Sequence, residues 1–304
     1  MKKIFVNLKR FEVARSFGGV CDVDLPDQWI ANIMEECIEL GLGVLQDVQV
    51  NFLLPEALII PAVHKLKEFP SDKTASLSVG CQGVHRDDIK IGGNFGAFTS
   101  TFPATAAKMI GCTWAMIGHS EERKNIQEIL EIGGAGCNSS NSLLANQLLS
   151  KEVDCAFQAG LNVLYCIGET AEERGSGSFE EQKSRIKDVL RNQIEVGLNG
   201  SDKTLNTNNV VIGYEPIWAI GPGKVPPDAK YIDFVSSYIK ETMHSLYDMD
   251  VTVVYGGGLK EENAKEIGGV RHVGGGLIAL TRFTGNIGFY PNDLKIIINK
   301  YLQQ

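Results

Sequence analysis

The 304-residue chain has no apolar run approaching the roughly 20 residues that a membrane-spanning helix needs, so nothing in it points to a membrane partner. It has no Cys-x-x-Cys pair and no Cys/His group at metal-ligand spacing. Its seven cysteines (21, 37, 81, 112, 137, 155 and 166) are odd in number and scattered, which predicts reduced thiols that mostly fill core rather than a disulfide framework. It lacks basic excess: 29 Lys and Arg against 37 Asp and Glu give a net charge of −8, which argues against a nucleic-acid partner but leaves room for a local basic pocket. The opening Met1-Lys2-Lys3-Ile4-Phe5-Val6 runs straight into a strand, without an apolar signal core or a small-residue cleavage site. These absences predict a cytoplasmic protein.

What is present is ordinary globular composition, 43% hydrophobic and 22% charged, in a chain long enough for a sizeable core. Apolar β-branched runs alternate with amphipathic stretches. Strands are predicted at 4–7, 48–54, 76–84, 113–117, 161–167, 210–214, 251–255 and, more weakly, 272–278. Helices are predicted at 26–40, 57–66, 102–111, 142–159, 179–196, 229–247, 261–267 and 291–302. Eight strand–helix units with no strong linker predict a parallel sheet closed into a single (β/α)8 barrel covering 1–304. On that fold the active site lies at the C-terminal ends of the strands, so the polar residues just past each strand are the candidates.

Three of those ends carry chemistry. Past strand 6, after Val210-Val211-Ile212, comes Gly213-Tyr-Glu-Pro-Ile-Trp-Ala-Ile-Gly-Pro-Gly-Lys224, which presents the Glu215 carboxylate. Pro216 then fixes φ. Ile217, Trp218, Ala219 and Ile220 form an apolar middle, and Gly221, Pro222, Gly223 and Lys224 close a segment built like a rigid lid. Past strand 4, His119 opens a helical turn in Gly118-His119-Ser120-Glu121. A helix N-terminus disfavours a second proton on the imidazole and leaves it a neutral donor. Past strand 1 stand Asn7 and Lys9, both able to face the barrel mouth. A carboxylate base, a neutral imidazole and an ammonium suit proton transfer next to a carbonyl, with growing oxygen charge stabilised by the last two.

Asn7-Leu-Lys9, Ile117-Gly-His-Ser-Glu-Glu-Arg123, Cys166-Ile-Gly-Glu169, Gly213–Lys224 and Tyr255-Gly-Gly257, in this order, resemble the signature segments of the triosephosphate isomerases. That resemblance implies the family's own mechanism, in which a Glu base works with a neutral His under a closing loop. Glu215 would then shuttle a proton between adjacent carbons while His119 acts as electrophile. The resemblance implies that Lys9 and Asn7 hold the substrate, with Glu121 positioning Lys9 and Ser120 supporting the site. The Gly221 amide would meet the phosphate, and the closed lid would keep water from the enediolate. It further implies a homodimer in which Thr99 reaches the neighbouring subunit's site.

Departures from the family pattern are concentrated at the phosphate end and the interface. Gly258 stands where the family has a serine and keeps an N–H for the substrate, and Ala279 and Leu280, which stand where the family has two glycines whose amides cradle the phosphate, can still offer it their amides. Cβ atoms there limit an anion's approach, so Arg282, with Thr281 beside it, is a candidate side-chain contact. Thr101 and Glu122 replace a glutamate and an arginine that pair between subunits, which predicts altered dimer geometry. Extra residues near 10–24, 130–142 and 281–290 enlarge loops at the catalytic face, where specificity is set on this fold. His85, Asp87 and Asp88 could mimic metal ligands but read as a solvated loop, and Gly92-Gly93-Asn94 as a turn. His64, His244 and His272 read as structural. No metal or cofactor is expected. The leading expectation is interconversion of dihydroxyacetone phosphate and glyceraldehyde 3-phosphate. The alternatives are the same chemistry on a longer sugar phosphate such as a tetrulose phosphate, or a catalytically idle paralogue that binds a metabolite or partner.

Overall fold

The computed structural model describes residues 1–134, 139–201, 204–221 and 223–303. Eight parallel strands close into a barrel in sequential order: β1 (Lys2–Asn7), β2 (Val48–Leu54), β3 (Leu77–Cys81), β4 (Trp114–Ile117), β5 (Asn162–Ile167), β6 (Val210–Tyr214), β7 (Thr252–Tyr255) and β8 (Gly275–Ile278). Closure is made by β1 against β8, with Phe5 level with Leu277. The helices are α1 (Pro26–Glu39), α2 (Glu56–Lys67), α3 (Ser71–Thr74), α4 (Ala104–Met109), α5 (Ser120–Ile132), α6 (Ser139–Gln158), α7 (Ala171–Arg174), α8 (Phe179–Gly197), α9 (Ala229–Tyr247), α10 (Ala264–Gly268) and α11 (Pro291–Leu302). Among the described residues no helix is long and apolar enough to cross a membrane.

Strand parity sorts the core into two layers, because successive side chains point to opposite faces. Phe5, Leu53, Trp114, Leu164, Val211 and Val254 fill the barrel's interior, where the Phe5 and Trp114 rings meet edge to face at 5.0 Å. Their strand neighbours, such as Ile4, Val6, Val50, Phe52, Ile212 and Val253, face outward and bury the apolar stripes of the helices. Helix starts follow local chemistry. Pro26 and Pro291 occupy first-turn positions where no N–H is needed, and Asp228 accepts from the Tyr231 amide at 2.8 Å to cap α9. Thr170 and Glu173 cap α7 reciprocally, at 3.1 and 2.9 Å.

One element differs in kind from the sequence reading. Where the sequence predicts a short turn after His119, α5 runs for 13 residues. Its buried member is Arg123 rather than an apolar side chain, so the usual hydrophobic periodicity is muted. Of the three enlarged loops, 10–24 contains a short 3-10 turn at Arg15–Phe17 and a bridge between Ala14 and Cys21. The 281–290 loop folds back through an antiparallel bridge between Arg282 and Gly288. The expected 130–142 insertion is described at 130–134 and from 139 onward; residues 135–138 lie outside the described residues.

Candidate active site

The same parity that fills the barrel aims the catalytic candidates. Val211 lies in the interior layer, so Gly213 and Glu215, two and four residues on, share its face and bring the carboxylate to the mouth. Phe5 likewise puts Asn7 on the inward face of β1. Asn7 and Glu215 are both buried, at 3% and 2% exposure, so each must be held by hydrogen bonds.

Glu215 sits across the N-terminus of α5. One carboxylate oxygen accepts the Ser120 amide at 2.9 Å, and the other accepts the Ser120 hydroxyl at 3.0 Å and lies 3.3 Å from His119 Nε2. The positive end of the helix thus faces the carboxylate. His119 is the N-cap of α5, and its Nδ1 accepts the Glu121 amide at 3.3 Å. A ring nitrogen that accepts carries no proton, so the neutral imidazole bears its proton on Nε2, the nitrogen facing the mouth.

Lys9 lies across from them. Its Nζ pairs with Glu121 Oε1 at 2.6 Å. Burial raises the Glu121 carboxyl, but the hydrogen bond and charge of Lys9 outweigh it and hold the group below its ordinary value. The Lys9 backbone is left-handed, with φ of 43°, and its amide donates to Asn7 Oδ1 at 3.0 Å. The same oxygen accepts Gln82 Nε2 at 3.0 Å, and Gln82 also reaches the Lys9 and Leu53 carbonyls at 3.0 and 3.3 Å. Gln82 therefore braces the segment that carries Lys9, a role absent from the sequence reading, in which the predicted strand 76–84 runs through Gln82.

The lid rests on Glu169. This buried carboxylate accepts Trp218 Nε1 at 2.8 Å, Tyr231 OH at 2.7 Å and Tyr214 OH at 3.0 Å. Burial pushes its pKa up against those three donors. Arg174 stacks 3.8 Å over the Trp218 ring, so the lid's largest side chain is held from two sides. Ile217–Ala219 form a 3-10 turn after Pro216, and Gly221 and Gly223 adopt φ of 120° and 75°, a region that favours glycine. Lys224 donates its amide to the Gly221 carbonyl at 3.3 Å, while Pro222 lies outside the described residues. Ile217 and Ile220 line a cavity of about 280 Å³ against Ser120, Arg123 and Gln127 of α5. Close under Glu215, a Cβ on Gly168 would overlap the Glu215 carbonyl oxygen.

At the far side of the mouth, Gly258 has φ of 91° and its carbonyl accepts Asn263 Nδ2 at 3.1 Å. Ala279 and Leu280 follow β8 directly and are half-buried. The Thr281 and Arg282 amides both donate to the Gly288 carbonyl at 3.1 Å. The Arg282 guanidinium makes two 3.0 Å bonds to Asp293 and lies 4.1 Å over the Tyr290 ring. Its charge is matched within the 281–290 turn, which leaves it poorly placed for the anion contact expected of it.

With this geometry in view, the relatives are informative. A family model described as triosephosphate isomerase matches residues 36–284. The chain belongs to the triosephosphate isomerase family. It is 32% identical over 243 residues to triosephosphate isomerase of Bartonella henselae, covering 79% of this chain and 82% of that one. It is 33% identical over 257 residues to that of Pelodictyon phaeoclathratiforme, covering 81% and 87%. The crystal structure of the Bartonella henselae triosephosphate isomerase superposes with a TM-score of 0.68 over 99% of this chain and 98% of the other, at 24% identity, and thereby agrees in fold.

Glu122 and Thr101 are the two positions where the sequence departs from the expected subunit pairing. Glu122 accepts the Gly118 amide at 2.6 Å within its own chain. Beside it stands the buried Glu152; burial and the neighbouring Glu122 raise its pKa to about 10. Thr101 lines a separate hollow with Gln82 and His85. Thr99 is exposed, on a loop that also exposes Ile91 and Phe95. Asp88 caps α4 by accepting the Thr105 amide and hydroxyl, and His272 bonds Asp233 at 2.9 Å, so neither stands free for a metal. Among the described residues no group of three or more His, Cys, Asp or Glu could hold one.

Proposed function

We infer that this protein interconverts dihydroxyacetone phosphate and glyceraldehyde 3-phosphate. The observation that carries the reading is the convergence of Glu215, the Nε2–H of His119 and Lys9 on one mouth. The Glu215 carboxylate removes the proton on the carbon next to the carbonyl. His119 donates through Nε2 to the carbonyl oxygen, and the Lys9 ammonium stabilises the charge growing there. The enediolate takes the proton back on the neighbouring carbon, while the hydroxyl proton passes from the oxygen that becomes the new carbonyl to the oxygen of the old one. One carbon is oxidised as its neighbour is reduced, so the reaction balances within the substrate without a co-reactant.

Glu215→Gln keeps the shape and removes the base, and general-base catalysis is worth roughly 10²–10⁴-fold. Isomerisation of glyceraldehyde 3-phosphate by this variant should fall by about that factor. Turnover within threefold of the parent would overturn the assignment. A substrate panel that includes tetrulose phosphates separates the triose from a longer substrate, a reading that the Gly258, Ala279 and Leu280 substitutions keep open. The intact triad and anchored lid weigh against an idle paralogue.

We also propose that the protein acts as a cytoplasmic homodimer of single-domain barrels. Support for the dimer comes from the exposed Ile91, Phe95 and Thr99 of the loop after β3. The inward turn of Glu122 supports a subunit contact without the family's ion pair.

A further inference from the structure

We propose that Lys260 is the cation that grips the substrate's phosphate, beside the altered loops after β7 and β8. The proposal rests on the isomerase reading for the identity of the phosphate's bearer, and on the following geometry for the site itself. Gly258 offers no side chain. A Cβ built on it would lie 3.8 Å from Lys260 Cε, so the lysine stem runs through the space beside the missing side chain. Its Nζ lies 4.3 Å from the centre of the Phe283 ring, which belongs to the enlarged loop after β8. The ammonium therefore stands between the two altered loops.

Several amides around it are already committed. The Gly256 amide donates to the Tyr214 carbonyl, the Leu259 amide to the Leu277 carbonyl and the Lys260 amide to Asn263 Oδ1 at 2.8 Å. Across the gap, the Thr281 and Arg282 amides are committed to Gly288. Asn263 also holds the Gly258 carbonyl, so one side chain clamps the turn that presents Lys260. Other cations near this side are occupied: Lys9 by Glu121, Arg282 by Asp293, and Arg15 by the Ile287 carbonyl at 3.1 Å. Lys260 makes no ion pair with a carboxylate among the described residues. The Cβ atoms of Ala279 and Leu280 keep a phosphate farther from the backbone than glycines would, and a four-carbon stem spans that added distance.

The test is calorimetric titration of the full-length protein with inorganic phosphate, comparing the parent with Lys260→Met and Lys260→Arg, alongside KM and kcat for glyceraldehyde 3-phosphate. A charged hydrogen bond is worth a factor of roughly 10 to 100 in affinity. Lys260→Met should weaken phosphate binding by about that factor and raise KM more than it lowers kcat, and Lys260→Arg should restore most of both. Phosphate affinity in Lys260→Met within twofold of the parent overturns the proposal, as does a parent that binds no phosphate. So does an unrescued loss in Lys260→Arg, which would mark a structural role. A parent that binds phosphate through Lys260 yet isomerises no triose phosphate would leave the anion site standing and remove the isomerase reading instead.

Discussion

Arg123 offers the most quantitative test of how the His119 turn is held. Its buried guanidinium makes five hydrogen bonds: Nε to the Gly118 and Cys166 carbonyls at 2.8 and 3.2 Å, Nη1 to Asn146 at 2.7 Å, and Nη2 to Tyr165 OH and Cys166 O at 3.1 and 2.9 Å. Arg123→Lys keeps the charge but supplies three donors from a single point, so at least two of these five bonds are lost. At about 1.5–3 kcal/mol for each charged hydrogen bond, the variant should be less stable by about 3–6 kcal/mol. That is a large share of the roughly 5–15 kcal/mol typical of a folded protein. Urea unfolding followed by circular dichroism reads it directly: with a slope of roughly 3 kcal/mol per molar, the midpoint should fall by about 1–2 M. Gly118 immediately precedes His119, so activity under native conditions should fall as well. A midpoint shift of less than about 0.3 M with the slope unchanged would refute the reasoning, because the fork would then be replaceable by a point charge.

Two further perturbations test neighbouring features. The folded chain keeps a proton on the buried Glu152, beside Glu122, that an unfolded chain releases near its ordinary carboxyl pKa. Stability should therefore fall as pH rises from about 5 towards 10, by up to about 1.4 kcal/mol per unit, and Glu152→Gln should flatten that slope in melting curves at about pH 6 and 8.5. Equal slopes in parent and variant would contradict a protonated Glu152. Gly168→Ala should displace the Glu215 backbone and lower kcat by at least about tenfold, whereas a kcat equal to the parent's would show that the β5 and β6 ends part without moving the carboxylate.

The fold is largely legible in the sequence because its punctuation is local. β2, β6, α9 and α11 carry the bounds read from sequence, and each ends or begins at a proline or a cap: Pro55, Pro216, Asp228 and Pro291. Lys9, His119 and Glu215 are legible for a related reason, since strand ends mark the mouth of the barrel and their types suit one reaction. What is not legible depends on partners distant in sequence. Gln82 acts on residues 73 and 75 positions away, Arg123 on Cys166, and Glu169 on Tyr231. Arg282 looks available because its neighbours in sequence are uncharged, and Asp293, which neutralises it, arrives only when the 281–290 turn closes. α5 is hidden because an arginine occupies the buried face where the pattern calls for an apolar residue.

The left-handed backbone of Lys9 determines when the cost of placing its ammonium falls. A non-glycine residue at φ of 43° is strained, by about 1–3 kcal/mol, and is held there by Asn7 and Gln82. That strain is met once, as the chain folds, and not again at each encounter with substrate. In the proposed reaction the ammonium would meet an incoming carbonyl with its backbone already committed, and the entropy of arranging it would stay out of the barrier. Stability and rate are thereby in opposition at this position. A glycine there would relax the fold, and a lysine restored on a relaxed backbone would have to find its place anew in every turnover.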